Sequence, residues 1–458
     1  MGLEMKKKNK FKCKKCGYIS SGYFGKCPEC GDWNTFEEII EVDEKKINAK
    51  ATEKSTSAKK LKEIESITSF RIQSTIEEFN RVMGGGIVRD SVSIITAKPG
   101  AGKSTLLLQV ANDMAKQGFK VLYASGEESE SQIKNRANRV VDFISENIYV
   151  YSDNTMDNVL EEIEKTDPDF IIIDSIQTFV LRDIPSRPST PTQIMECAYK
   201  MVEIAKNPLR PRVVFLVGQM TKEDELAGVR ALEHLVDTVL LIENESNEEL
   251  RGLLATKNRY GSTGEMGFFL MTEKGLESLD NPSEYFMTYR KEGTELPGSA
   301  LSVIREGTRP IILEIEALSS QSFLPYPSRV GECLNREHLS TLISILEQRA
   351  GLRLMDKNIV VKTTGGIKLK EPAVNLAVMM SIYSSLKNVA IDTQTVFISD
   401  VGLTGELKSV PSIEIRLKEA ERMGFKRAFI PPVKTEFENV KNLKIYKCKT
   451  ISDVIEKI

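Results

Sequence analysis

The stretch Ala97-Lys98-Pro99-Gly100-Ala101-Gly102-Lys103-Ser104 decides the fold. An apolar run, Val92-Ser93-Ile94-Ile95, precedes it, and a helical pattern follows with Leu106, Leu107, Val110, Ala111 and Met114 on one face. Strand, Gly-rich loop and helix, in that order, are the setting a phosphate-binding loop requires. Backbone N–H groups of the loop and of the helix start would cradle the α- and β-phosphates of a nucleotide such as ATP. The expected nucleotide contacts are Ala97, Lys98, Pro99, Gly100, Ala101, Gly102, Lys103, Ser104 and Thr105. Lys103 would reach the β- and γ-phosphates, and the Ser104 hydroxyl would ligate Mg²⁺. Ala97 stands where this pattern usually opens with glycine. It ends the strand, so its methyl group is a small intrusion.

A magnesium ion needs a second anchor. Phe170-Ile171-Ile172-Ile173-Asp174-Ser175 reads as a buried parallel strand with Asp174 at its C-terminal tip. Asp174 could hold the ion through water, or could instead cap the next helix. Leu122-Tyr123-Ala124-Ser125-Gly126-Glu127-Glu128 is another strand with carboxylates beyond its C-terminal end. Ligands collect there in open α/β sheets. Glu127 or Glu128 would orient the attacking water as general base, and Glu127 is the preferred of the two.

At 458 residues the chain exceeds a single ordinary core, so two or three domains are expected. With 41% hydrophobic and 28% charged residues it falls in the soluble globular class. No apolar run approaches the ~20 residues of a membrane span, and the lysine-rich start lacks the apolar stretch of a secretory signal. A cytoplasmic protein without a membrane partner is therefore expected. Net charge is only −2, so any nucleic-acid contact must come from local patches.

Four of the seven cysteines form Cys13-x-x-Cys16 and, after ten residues, Cys27-x-x-Cys30, each pair followed by Gly17 or Gly31. Four thiolates with no open position describe a structural, tetrahedral Zn²⁺ site rather than a disulfide framework. So small a segment has little core of its own, and the metal would supply much of its folding energy. Lysines from Lys6 to Lys26 surround it, either as a phosphate-contacting patch or as a solvated tail.

The pattern divides into a zinc ribbon at 1–36, a charged linker at 37–66, an ATPase domain at 67–275 and a further α/β unit at 276–458. In the third segment, strands near 91–97, 120–125, 170–174, 212–218, 236–243 and 252–257 alternate with helical stretches. That alternation implies a mostly parallel sheet covered by helices. In the fourth, the landmarks are a strand near 310–317, a helix near 335–350 and Gly365-Gly366. A Pro372-initiated helix, a strand at 395–399 and a helix from Ser412 to Met423 follow.

Read in order, these pieces resemble the RadA (Sms) family of bacterial DNA-repair and recombination ATPases over nearly the whole chain. Cys13-Lys14-Lys15-Cys16-Gly17-Tyr18 through Trp33-Asn34-Thr35 is similar to that family's zinc ribbon. Asp174-Ser175-Ile176-Gln177-Thr178 and Leu232-Glu233-His234-Leu235-Val236-Asp237 resemble its RecA-like motor. Lys257-Asn258-Arg259-Tyr260-Gly261 matches a motif that in the family reads Lys-Asn-Arg-Phe-Gly. Tyr260 keeps the ring but adds a hydroxyl that needs a partner.

The resemblance implies that Lys257 and Arg259 act on the neighbouring subunit's nucleotide, in the manner of arginine fingers, within a homo-oligomer, a hexameric ring. It implies a γ-phosphate sensor at Gln219, where the family more often has His. It further implies DNA-binding loops, with Arg182 and Arg187 in one, and Lys222 and Arg230 in the other. Single-stranded and branched DNA, and a recombinase such as RecA, are the implied partners. Branch migration at recombination intermediates is the implied activity. A KaiC-like ATPase acting on protein partners and a RecA-like strand-exchange filament are the competing readings.

The C-terminal unit resembles the proteolytic domain of Lon through Val401-Gly402-Leu403-Thr404-Gly405-Glu406-Leu407-Lys408 and Gly424-Phe425-Lys426-Arg427. Lon uses a Ser nucleophile and a Lys base. Here Glu371-Pro372-Ala373 stands at the serine motif and Glu414 at the lysine, so no nucleophile–base pair exists and no protease is expected. Lys368, Lys370, Arg416 and Lys418 are candidate contacts to duplex DNA, or simply solvated faces.

Overall fold

The computed structural model describes residues 10–16, 18–20, 25–33, 36–39, 60, 71–219, 229–244, 249–288, 290, 296–324 and 326–458. The chain forms two compact units, Met1–Ile67 and Thr68–Ile458. In the first, β1 (Lys10–Cys13), β2 (Ile19–Ser20) and β3 (Phe36–Ile39) make an antiparallel sheet in the order β2-β1-β3.

The second unit opens with a short pair, β4 (Arg71–Ile72) and β5 (Ile87–Val88), flanking the helix Glu77–Val82. A nine-stranded sheet follows. Its strands are β6 (Val92–Ala97), β7 (Val121–Ser125), β8 (Ile148–Ser152), β9 (Phe170–Asp174) and β10 (Val213–Gln219). They continue with β11 (Thr238–Asn244), β12 (Leu250–Asn258), β13 (Met266–Thr272) and β14 (Gly275–Ser278). The spatial order is β14-β13-β12-β11-β6-β10-β9-β7-β8. From β11 to β8 all neighbours are parallel, and β12 to β14 extend the sheet antiparallel.

The six expected strands are present, with ends displaced by two residues at most. Their apolar runs are continuous because both faces are covered. Ile172 joins the core under the helices Lys103–Lys116 and Glu130–Val140. Ile171 and Ile173 join the opposite core, under Met156–Thr166 and Pro191–Ala205. β8, β13 and β14 were not among the expected strands. β8 is an edge strand, only half-buried, in which tyrosines interleave with Ile148 and Val150.

The C-terminal half forms a seven-stranded sheet. Its strands are β15 (Ser299–Glu306), β16 (Arg309–Gln321), β17 (Arg329–Gly331), β18 (Lys357–Thr363) and β19 (Thr395–Phe397). A hairpin, β20 (Asp400–Val401) and β21 (Leu407–Lys408), precedes the last two, β22 (Arg427–Ile430) and β23 (Lys444–Lys447). The sheet order is β17-β18-β16-β15-β19-β22-β23. The expected helices appear as Arg336–Ala350, Asn375–Lys387 and Ile413–Arg422, the second entered through a 3₁₀ turn at Pro372–Val374.

The two sheets share a core. Leu250, Met266 and Phe268 of the first pack with Phe286, Ala300, Ile311 and Ile315 of the second half. Phe268 and Phe286 meet edge-on, with ring centroids 5.9 Å apart. Buried Glu78 accepts from Arg309 Nη1 at 2.8 Å and from the Phe268 amide at 2.9 Å, tying its helix to both sheets. The first sheet continues through Ser278, past the division expected at residue 275.

Candidate nucleotide and metal sites

Cys13, Cys16, Cys27 and Cys30 bring their sulfurs within 4.8 Å of one another. The Cys13–Cys30 and Cys16–Cys27 sulfurs are 3.7 and 3.5 Å apart. Thiolates ~2.3 Å from a tetrahedral zinc ion stand about 3.8 Å from each other, so the donor set fits Zn²⁺. Short backbone bonds make the knuckles: Cys13 N–H donates to Tyr18 O at 2.9 Å, and Cys27 N–H to Asp32 O at 2.8 Å. Gly31 takes φ 73° in the second, and Gly17 lies outside the described residues.

The phosphate-binding loop leaves β6 at Ala97, which is fully buried. Gly102 takes φ 103° immediately before the helix Lys103–Lys116. A Cβ there would lie 2.7 Å from Met271 Cε and 3.1 Å from Leu276 Cδ1, mobile side-chain ends, so it is the backbone conformation that demands glycine. Around Gly100 a Cβ would meet nothing within 4 Å, which leaves that side of the loop open. Lys103 donates from Nζ to Ala97 O at 3.1 Å and to Lys98 O at 3.5 Å. Burial lowers the pKa of this ammonium, and the charges of Asp174 and Glu127 oppose that shift.

Strand register gathers the other expected residues at the same edge. Gln219 is level with Ala97, and Asp174 with Ser125. Asp174 Oδ2 accepts from the Tyr123 hydroxyl at 2.5 Å. Glu127 Oε1 accepts from Ser175 Oγ at 2.5 Å, and the Gln219 amide donates to the two Glu127 oxygens at 2.9 and 3.1 Å. Glu128 is occupied differently, in an ion pair with Arg136. Gln177 Nε2 donates to Gln219 O at 3.1 Å. Lys103, Glu127, Asp174 and Gln219 therefore converge where four parallel strands end.

Sequence reasoning assigned no role to Tyr123, Ser175, Arg136 or Gln177. Tyr123 carried a signal: a hydroxyl inside an apolar strand must find a buried partner.

Lys257 and Arg259 lie elsewhere. Lys257 is level with Val239 and so with Ile94, and the Arg259 amide donates to Asp237 O at 3.1 Å. Asp237 in turn accepts from the Val92 amide at 3.0 Å. That is the start of β6, while the loop leaves its end, five residues or roughly 16 Å away along the strand. The Lys257 ammonium rests on Glu233 O and Val236 O, at 2.5 and 2.9 Å. Burial lowers its pKa, and the nearby Arg259 charge lowers it further. Arg259 pairs with Asp237 at 3.2 Å, and Lys206 does so at 3.0 Å. Burial first, then the nearby Asp237 charge, raises the pKa of the Tyr260 hydroxyl. Gly261 packs against Gly84, where a Cβ would come 2.8 Å from the Gly84 Cα.

Of the expected DNA contacts, Arg182 is exposed but donates from Nη2 to Asn158 Oδ1 at 2.7 Å, and Arg187 is exposed in the same loop. Lys222 and the Arg230 side chain lie outside the described residues. Arg416 is a correction: it is 1% exposed and holds Glu371 through two bonds of 2.6 Å, so it is unavailable to DNA. A long arginine facing a carboxylate inside the fold reads as surface charge until the partner is seen. Lys418 pairs with Glu414 at 2.7 Å, Lys368 donates to Glu332 O at 2.6 Å, and Lys370 is exposed. Ala373 is buried in the core beneath β15.

Residues 57–225 match a family model described as an AAA domain, and residues 11–38 one described as a rubredoxin metal binding domain. Residues 334–434 match the ChlI subunit of Mg-chelatase. The chain is 41% identical over 454 residues to the DNA repair protein RadA of Listeria monocytogenes, covering 99% of this chain and 98% of that protein. The chain belongs to the RadA family. RadA of Bacillus subtilis is 43% identical over 430 residues and RadA of Streptococcus pyogenes 44% over 429, each covering 93% of both chains. This RadA-family chain thus carries a zinc ribbon, an ATP-binding AAA domain and a C-terminal Lon-like α/β domain. Among the described residues no helix is long and apolar enough to cross a membrane.

Proposed function

We propose that this chain is a DNA-dependent ATPase of DNA repair, a homo-oligomeric, hexameric ring that translocates on single-stranded and branched DNA. It drives branch migration of recombination intermediates in the cytoplasm, in company with a recombinase such as RecA. The observation that carries this reading is the division of the machinery between the two ends of one sheet. Lys103, Glu127, Asp174 and Gln219 stand at one end, and Lys257 and Arg259 at the other. Cations that cannot meet their own loop are suited to a neighbour's, and a cation supplied in trans makes hydrolysis depend on assembly.

In this reading the loop binds the ATP phosphates and Lys103 exchanges its carbonyl partners for phosphate oxygens. Ser104 and Asp174 would hold Mg²⁺, which would offset phosphate charge when bound. Glu127 orients the attacking water and accepts its proton. Gln219 reports the γ-phosphate by giving up its bonds to Glu127. The Lon-like domain is a scaffold without peptidase activity, because buried Ala373 offers no nucleophile.

The test is ATP hydrolysis with and without single-stranded DNA, in wild type and Lys257→Ala, beside unwinding of a branched substrate. DNA should stimulate the wild type, and Lys257→Ala should lose stimulation and unwinding together. Hydrolysis indifferent to DNA would point instead to an ATPase serving protein partners.

A further inference from the structure

We propose that Tyr123 is a positioning residue for magnesium: its phenol fixes one oxygen of Asp174 and leaves the other to serve the ion. This rests on the reading of Asp174 as the magnesium anchor.

Tyr123 sits in the middle of β7, level with Ile172 of β9. From there a phenol spans the two-residue rise to Asp174. Tyr123 is fully buried, and its hydroxyl donates to Asp174 Oδ2 at 2.5 Å. Asp174 Oδ1 accepts no hydrogen bond among the described residues. The two oxygens of one carboxylate are therefore given different tasks. Burial first, and then the Asp174 charge, holds the phenol pKa well above its ordinary value. The phenol is the donor of this bond, which leaves the other carboxylate oxygen facing the site.

Packing alone does not call for this hydroxyl. Ile133, Ile172 and Phe215 share the same core, where a phenylalanine would be equally at home. The hydroxyl serves the carboxylate: Asp174 can no longer rotate about its side-chain bonds without breaking a buried, charge-assisted bond. Groups that orient a metal's ligands from behind typically carry ~10–100-fold in metal affinity. An ion held through water feels such a loss less, so about tenfold is expected here.

The experiment titrates Mg²⁺ against binding of a fluorescent, non-hydrolysable ATP analogue to the full-length protein, with hydrolysis followed in parallel. Tyr123→Phe should bind the analogue like wild type in EDTA. Its Mg²⁺ midpoint should rise about tenfold, and raising Mg²⁺ should restore hydrolysis. Asp174→Asn should shift the same midpoint, and Tyr123→Phe added to Asp174→Asn should shift it no further. A Tyr123→Phe midpoint equal to wild type, with Asp174→Asn displaced, overturns the role of Tyr123 alone. An Asp174→Asn midpoint equal to wild type overturns the magnesium anchor and this proposal with it. Should Tyr123→Phe fail to fold, the double variant carries the comparison, since it removes the buried charge along with its donor. A further shift beyond Asp174→Asn would then refute the route through Asp174.

Discussion

Glu127 and Glu128 are adjacent carboxylates with different occupations, and this separates their chemistry. Glu127 is held by two neutral donors, Ser175 and Gln219, which can release it when a nucleotide arrives. Glu128 is neutralised by Arg136, and its Oε2 has no partner among the described residues. Glu127→Gln should lower turnover by about 10²–10⁴-fold, the range of a lost general base, while ATP binding persists. Glu128→Gln should instead lower the melting temperature with a much smaller effect on turnover. Steady-state hydrolysis, equilibrium nucleotide binding and thermal unfolding of the two variants check this; equal losses of turnover would reject the assignment. Lys103→Ala removes the cation proposed to meet the phosphates and should abolish hydrolysis with the fold intact, as turnover and circular dichroism will show.

At the level of elements, contiguous motifs were legible and register-dependent partnerships were not. The loop from Ala97 to Ser104 and the two Cys-x-x-Cys knuckles each carry their chemistry within one short segment, so residue types and spacing suffice. The central parallel strands announce themselves by aliphatic runs, whereas β8, half-buried at an edge, interleaves tyrosines with Ile148 and Val150. The bonds Tyr123–Asp174, Gln219–Glu127 and Arg259–Asp237 join residues 51, 92 and 22 positions apart. They depend on which strands lie side by side, and no local pattern encodes that.

Gly84-Gly85-Gly86 is a similar case. Gly84 is where the turn after β12, with Arg259 and Gly261, is seated. Gly84 has φ +79°, and a Cβ there would come 2.9 Å from the Gly261 Cα. Gly84→Ala should cost about 1–3 kcal/mol, the scale of a side chain forced into such backbone strain. Hydrolysis should fall while the loop still binds nucleotide. Unfolding and binding measurements read the two effects separately.

For the whole molecule, in the ring proposed above, the distance between loop and cations would make the active site a property of the assembly. Lys103→Ala subunits would retain Arg259, and Arg259→Ala subunits would retain the loop. Mixing them should restore part of the activity that either lacks alone, because some interfaces combine an intact loop with an intact cation. A missing arginine finger costs on the order of 10³-fold or more elsewhere, and less is expected where Lys257 shares the role. No recovery despite demonstrated subunit exchange would return the cations to a role within their own chain. The ribbon should carry one zinc per chain, lost in Cys13→Ser or Cys27→Ser and measurable by elemental analysis. The core shared by the two sheets also governs how the molecule can be dissected. Leu250, Met266 and Phe268 face the second half rather than water. A fragment ending at Ser278 would therefore be left with a sticky apolar wall and should clump on expression, however well its loop is formed. By the same reasoning, a chimera that borrows another relative's Lon-like half inherits a mismatched wall unless these three side chains travel with it.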